Sequence, residues 1–335
     1  MRKTLFIIGL VSILQSCGSS KNTTVVAHQT ATKPTSHATT PSSTPKPTVQ
    51  RDHNLDFFRE NIGDITKNDN TISYGSIVSA QPKGYEVVKT YFPSVGQNFR
   101  QRYIILHYTA LDHEKSIRVL TTQSVSAHYL VNDLNDKEIY QLVDENKRAY
   151  HSGISSWRKD INLNDNSIGI EIINLGFTNV GGERIFAEYP DYQVRKVAQL
   201  VKDIANRYNI PATHILGHSD IAPTRKQDPG PKFPWKKLYT DYGIGMWYDD
   251  SVKNAFWQEL QSQDFEAMKA TPQFIYQLQS ELKKFGYSLE TSGEYDKPTQ
   301  LVVQAFQYHF RPQISDGILD SETYAILKAL IQKYP

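Results

Sequence analysis

Gly217-His218-Ser219-Asp220-Ile221-Ala222-Pro223-Thr224-Arg225-Lys226-Gln227-Asp228-Pro229-Gly230, running on through Pro231 to Phe233-Pro234-Trp235, is the stretch around which the chain is organised. Prolines at 223, 229, 231 and 234 exclude a regular helix interior or a central strand, because each removes a backbone donor and fixes φ. What remains is an ordered loop that carries His218, Lys226 and Asp228 within eleven residues. Pro229 biases Asp228 toward extended backbone, which helps hold its carboxylate in one direction. An imidazole, an ammonium and a carboxylate on so stiff a backbone suit a metal ion.

Immediately upstream, Thr213-His214-Ile215-Leu216-Gly217-His218 reads as a strand feeding the loop, and Tyr103-Ile104-Ile105-Leu106-His107-Tyr108 reads as a buried strand. Together they would bring His107 and His218 to the same sheet edge. A hydrolytic zinc site takes three protein ligands and keeps one position open, and His107, His218 and Asp228 can supply them. From the residues alone, His107 is as readily an ordinary strand-terminal histidine. His214 competes, but on a strand it lies about 13 Å from His218 at roughly 3.3 Å per residue, so it is assigned a structural or surface place. His113 and His309 are expected in solvent, and His28, His37 and His53 lie in or just after a polar tether. His128, within the apolar run at 126–131, reads as a hydrogen-bonded core histidine, while His151 in Ala149-Tyr150-His151-Ser152-Gly153 lies in a loop that can line a cleft.

Glu171 interrupts Ile168-Gly169-Ile170-Glu171-Ile172-Ile173. Burying a carboxylate among isoleucines without a partner is costly, so Glu171 faces either a solvated sheet face or a site. Lys226 taken by itself is a solvated loop lysine.

The remaining elements follow from periodicity. A short helix is expected over 114–123, and the runs 126–131 and 138–143 flank an Asn/Asp-rich turn as a hairpin. Residues 191–208 place Val194, Val197, Ala198, Val201, Ile204, Ala205 and Tyr208 on one helical face. Strands mixed with helices indicate an α/β fold with a central mixed sheet covered by helices. Beyond about 241 the pattern changes to a connecting helix over 254–268 and three short helices that make a small C-terminal bundle. That bundle has no cluster of histidines and carboxylates, so no chemistry is expected there.

The 335 residues exceed one average domain, and 14 Phe with 20 Tyr supply real cores. The net charge is only +2, which gives no general electrostatic case for nucleic acid as a partner. The N-terminus has Arg2-Lys3, an apolar run over 5–14 too short for an ordinary spanning helix, and the only cysteine, Cys17. Leu14-Gln15-Ser16-Cys17 resembles the lipobox of bacterial lipoproteins, which implies a signal peptide over 1–16 and a lipidated Cys17. Gly18 rather than Asp next to it favours the outer membrane, facing the periplasm. Residues 17–53 are Ser, Thr, Pro and Lys with few apolar side chains, and are expected to form a disordered tether. The lead-in over 54–98 is expected to be extended and packed on the domain.

The segments Ile105-Leu106-His107-Tyr108-Thr109-Ala110, Val125-Ser126-Ala127-His128-Tyr129-Leu130-Val131, Ile168-Gly169-Ile170-Glu171 and Gly217-His218-Ser219-Asp220-Ile221-Ala222-Pro223 through Asp228-Pro229-Gly230 resemble the type-2 N-acetylmuramoyl-L-alanine amidases, a family that includes the peptidoglycan recognition proteins. The resemblance implies one Zn²⁺ on His107, His218 and Asp228, a catalytic role for Glu171, and charge stabilisation by Lys226. His128, His151 and Trp157 are carried as candidate substrate contacts. Leu278-Gln279 with Leu282, Gly286-Tyr287, Gly293 with Thr299, Ala305-Phe306-Gln307, Asp316-Gly317 and Thr323 resemble a peptidoglycan-binding three-helix domain. The implied organisation is an amidase domain over 54–245, a connector over 246–270 and a peptidoglycan-binding domain over 271–335. The implied chemistry is hydrolysis of the amide between N-acetylmuramic acid and L-alanine by a monomer acting on peptidoglycan and muropeptides. A non-catalytic wall-binding lipoprotein and a zinc peptidase cutting stem peptides are the alternatives.

Overall fold

In a computed structural model, residues 98–335 are described together with 82–86 and the backbone of 48–52, 55–61 and 90–91. The expected signal peptide, Cys17, most of the tether and most of the 54–98 lead-in lie outside the described residues. The five residues that end at Asp52 depart from the expected tether. They form β1 (Thr48–Asp52), antiparallel to β2 (Leu55–Asn61), which in turn pairs with β3 (Thr90–Tyr91). The reason is local: past the last proline of the tether, at 47, the chain can enter a ladder.

A five-stranded mixed sheet positions everything else. In chain order its strands are β4 (Tyr103–Tyr108), β5 (Tyr129–Val131), β6 (Tyr140–Gln141), then β9 (Ser167–Ile172) and β12 (Ile215–Gly217), arranged β12-β4-β9-β5-β6. Neighbours run parallel except β6, the antiparallel edge. The near-continuous apolar runs of β4 and β9 are what a parallel strand buried on both faces requires. Small hairpins are inserted between them: β7 (Ser156–Trp157) with β8 (Asp160–Ile161), and β10 (Phe177–Val180) with β11 (Glu183–Phe186).

Helix α1 (His113–Thr122) starts at Asp112, whose side chain accepts the Lys115 N–H. Helix α2 (Asp191–Tyr208) has the bounds its periodicity implies, with Val194, Val197, Ala198, Val201 and Ile204 facing the sheet core and Asn209 ending it in the left-handed region. The stretch 213–218 is not a single strand. Ala212–His214 is a 3-10 turn, β12 has three residues, and His218 opens the one-turn helix α3 (His218–Ile221). Pro211 sets the turn, so His214 stacks on Tyr103 at 4.1 Å and bonds the Arg102 carbonyl, the structural place expected of it. His113 pairs with Asp133 at 2.7 Å.

After α4 (Trp235–Tyr242) the expected connecting helix is two helices, α5 (Asp250–Gln261) and α6 (Phe265–Lys269). The break falls where Asp264 leaves helical geometry to cap α6 by accepting the Ala267 N–H, and Phe265 turns into the core. Then come α7 (Pro272–Phe285), α8 (Lys297–Phe310) and α9 (Ser321–Lys333), the three-helix bundle as expected. Its motif residues are internal staples. The Gln279 side chain accepts from the Gly293 N–H at 2.8 Å and bonds Thr299 Oγ1 at 2.9 Å. Gln307 repeats the arrangement with Gly317 and Thr323 at 2.8 and 3.2 Å. One continuous apolar core runs from Tyr103 in the sheet to Leu330 in α9. This corrects the expectation for His309. It lies on the α8 face packed against the domain that carries the central sheet, 1% exposed, stacked on Trp235 at 3.9 Å.

Candidate functional site

His107, next to last in β4, stands directly opposite Glu171 of β9 in the parallel register. His218 follows the last residue of β12, which pairs beside β4. The proline-rich loop then returns Asp228 to the same edge, through an Asp228-Pro229 cis peptide. Gly217 makes room for that return, since a Cβ there would stand 2.7 Å from the Pro229 ring. The Ser219 N–H donates to the Asp228 carbonyl at 2.8 Å, tying the two segments together.

The three side chains converge. His107 Nδ1 and His218 Nδ1 lie 2.9 Å apart, and each is 3.0 Å from Asp228 Oδ2. All three are buried, and among the described residues theirs is the group of three that could hold a metal ion. Hydrogen-bond partners assign the tautomers. The Ser167 hydroxyl donates to the Leu163 carbonyl, so it accepts from His151 Nε2–H at 3.1 Å. His151 Nδ1 therefore accepts from His107 Nε2–H at 3.0 Å, which leaves the His107 Nδ1 lone pair facing the centre. His218 Nε2–H donates to the Ser152 carbonyl at 3.1 Å, with the same consequence for its Nδ1. Two imidazole lone pairs and a carboxylate oxygen so close together repel unless a cation lies among them. Their separations approach the roughly 3.3 Å edge of a tetrahedral zinc site with bonds of about 2.0–2.1 Å. The residues present fit a metal.

Electrostatics agree with that reading. Burial, then the neighbouring His218, push His107 down to about 4, so its imidazole is neutral and free to ligate. Burial alone would raise Asp228, but His218 and His107 hold it far below the usual carboxylate range. Burial and then the Asp228 charge push Glu171 up to about 8, with Lys226 opposing. Glu171 Oε2 is buried and has no hydrogen-bond partner among the described residues. Glu171, Lys226, His151, His218, Asp228 and Tyr150 line one cleft of about 250 Å³. Glu171 thus faces a site rather than a solvated sheet face, and Lys226 is a half-buried cleft residue rather than a free loop lysine.

The three candidate substrate contacts fare differently. His151 reaches the cleft wall, but both ring nitrogens are committed, so it supports His107. His128 is 1% exposed and is spent on backbone: Nε2 bonds the Lys147 carbonyl and Nδ1 accepts the Gly169 N–H, each at 3.0 Å. It is the core histidine that its apolar run suggested, and the substrate assignment is corrected. Trp157 is 0% exposed and donates to the Thr213 carbonyl beneath Phe285 and Tyr287, so it too is no substrate contact. The C-terminal bundle covers it.

Sequence reading missed three supporting residues. Gly169 admits the His151 ring, since a Cβ there would lie 2.3 Å from it, and a lone glycine within an isoleucine-rich strand signals such close approach. Ser167 carries no signal. Asn164 Oδ1 accepts the His151 and Ser152 N–H groups at 3.0 and 2.8 Å, and nothing in its Asn/Asp-rich surroundings marks it.

The sequence profile of the N-acetylmuramoyl-L-alanine amidases matches residues 97–231, and that of a peptidoglycan binding domain matches 271–327. The chain is 40% identical over 242 residues to N-acetylmuramoyl-L-alanine amidase AmiD of Escherichia coli K12, spanning 70% of this chain and 84% of that protein. A structure of E. coli AmiD with the substrate anhydro-N-acetylmuramic acid-L-Ala-D-gamma-Glu-L-Lys superposes with TM-score 0.66 at 37% identity, covering 76% of this chain and 97% of that one. AmpDh3 of Pseudomonas aeruginosa, in complex with anhydromuramic pentapeptide, superposes with TM-score 0.63 at 37% identity, covering 77% and 100%. With the His107–His218–Asp228 triangle, the buried Oε2 of Glu171 and this similarity along most of AmiD, the chain belongs to the N-acetylmuramoyl-L-alanine amidase family.

Proposed function

We propose that the chain hydrolyses the amide between the lactyl group of N-acetylmuramic acid and L-alanine in peptidoglycan and its fragments, with one Zn²⁺ held by His107, His218 and Asp228. The observation that carries this is the closure of those three side chains to within 3.0 Å beside the Glu171 carboxylate, whose buried Oε2 has no partner among the described residues. A zinc ion supplies Lewis acidity and brings the pKa of water from 15.7 to about 7. Glu171, with its raised proton affinity, takes the proton of the attacking water and returns it to the leaving amine. Lys226, on the same cleft wall, offsets the charge that develops on the carbonyl oxygen. His151 fixes the orientation and tautomer of His107. Mass spectrometry of digested cell wall tests the reading. Intact free stem peptides are expected; shortened stems would make the chain a peptidase, and no release would leave only wall binding.

We further propose that Cys17 is lipidated after removal of residues 1–16, that residues 18–47 tether the enzyme to the outer membrane, and that it acts there as a monomer on the periplasmic wall. The lipobox-like Leu14-Gln15-Ser16-Cys17 supports this, and among the described residues no helix is long and apolar enough to cross a membrane. Membrane fractionation of the parent and Cys17→Ala is the test: release of the variant is expected, and equal retention refutes the anchor.

A further inference from the structure

Among the contacts between the C-terminal bundle and the amidase domain, one carboxylate takes two side chains of the bundle. Asp220 is 1% exposed and both its oxygens are engaged. Oδ1 accepts from the Tyr287 hydroxyl at 2.7 Å, and Oδ2 accepts from the Gly217 N–H and from His309 Nδ1, each at 2.8 Å. Tyr287 and His309 belong to the bundle, are 1% exposed, and come from different places in it, just after α7 and near the end of α8. Their rings are themselves locked. Tyr287 packs on Trp157 at 5.0 Å, and His309 is stacked on Trp235 and on Phe310 at 3.9 and 4.0 Å.

Asp220 lies two residues after His218, on the single turn α3. That turn is too short to hold itself by its own hydrogen bonds, because helix nucleation is unfavourable. It is held from outside. The carboxylate of Asp220 closes on the Gly217 N–H at its start, and the Ser219 N–H reaches the Asp228 carbonyl. The placement of His218 and of Asp228 therefore both pass through this turn. We infer that Asp220 is a positioning residue through which Tyr287 and His309 set the His218–Asp228 half of the metal site, so that the C-terminal bundle is a working part of the catalytic centre and not only a wall anchor. The inference rests on the zinc reading above.

The test uses the full chain and compares Tyr287→Phe and the double variant Tyr287→Phe/His309→Gln with Phe274→Leu, which loosens the same bundle at a buried ring that packs on Phe265 and Tyr324. Three quantities are read: the zinc dissociation constant by chelator competition, the hydrogen-exchange protection of the Gly217 and Ser219 amides in the metal-free chain, and kcat against KM on a muropeptide. Removing a supporting contact to a metal site commonly weakens metal binding by about 10–100-fold. Tyr287→Phe is expected near the lower end and the double variant higher, with faster exchange at both amides and a fall in kcat at unchanged KM. Phe274→Leu is expected to lower thermal stability at least as much with zinc affinity within about twofold of the parent. The inference is overturned if the double variant binds zinc as the parent does, or if Phe274→Leu weakens it equally. A parent chain that takes up no zinc overturns the metal reading and this inference together.

Discussion

Gly169→Ala is the sharpest single test of how the site is built. The added methyl would stand 2.3, 2.5 and 2.6 Å from Cγ, Cδ2 and Nδ1 of His151, whereas ordinary contact begins near 3.4 Å. The ring must retreat by about 1 Å, and it cannot do so while keeping its bonds to His107 Nε2 at 3.0 Å and Ser167 Oγ at 3.1 Å. Overpacking a core costs about 1–3 kcal/mol. Each buried polar group left unpaired adds about 1–3 kcal/mol. A loss of about 3–5 kcal/mol in unfolding free energy is therefore expected by urea titration of the metal-free chain. With the His107 tautomer no longer held, zinc affinity should also fall about 10–100-fold. Adding His151→Ala to Gly169→Ala removes the clash, so the double variant should be more stable than the sum of the two single losses implies. A Gly169→Ala chain within about 1 kcal/mol of the parent and with parental zinc affinity would refute the reasoning, because the His151 ring would then be free to move without consequence.

Other outcomes follow from the same geometry. Glu171→Gln should keep stoichiometric zinc and lose at least about 10²-fold in kcat, since the amide cannot accept the water proton; unchanged turnover removes Glu171 from the mechanism. Lys226→Met should lower kcat about 10²–10³-fold with little change in thermal stability, as expected for a half-buried charge that acts on the transition state. At the foot of the sheet, Glu145 accepts from Tyr129, Tyr208 and both terminal nitrogens of Arg207 at 2.5 to 2.7 Å. Burial opposes ionisation there, but these donors bring Glu145 down to about 2. A depressed folded pKa stabilises above the unfolded value near 4.3, and the contribution is lost as pH falls toward 2. The shift corresponds to about 3 kcal/mol, reduced to about 2 because Arg207 is partly in solvent. Glu145→Gln should flatten the stability profile between pH 4.5 and about 2, and an unchanged slope would refute the network.

The fold was legible where one face of an element is buried by its own period. Helix α2 and strands β4 and β9 follow directly from their apolar spacing. The candidate ligands could be nominated because prolines stiffen the loop that carries His218 and Asp228 and because His107 stands near the end of an apolar strand, but the residues alone left His107 open and only the family resemblance completed the set. What failed to show was contact between modules. His309 reads as a solvated histidine on a helix, and only its packing against Trp235 and Asp220, 89 residues earlier in the latter case, makes it a core residue. Trp157 was misplaced for the same reason, since the bundle that covers it begins more than a hundred residues later. The split between α5 and α6 was missed because Asp264 is as acceptable inside a solvated helix as at a cap. His128 and His151 could be separated only by partners: one bonds two backbone groups, the other bonds a ligand histidine.

The parallel pairing that sets His107 against Glu171 has a consequence for how activity comes into being. The two residues are 64 positions apart in sequence, and β12 joins β4 only across a further long span. Such ladders form late, because the entropy of closing long loops is spent before any contact rewards it. No nascent fragment that ends before β9 contains even half of the reacting geometry, and one that ends before Asp228 lacks the rest. The polypeptide is thus latent throughout synthesis and any passage in an unfolded state, and it gains the capacity to cut only when the whole sheet has zipped up.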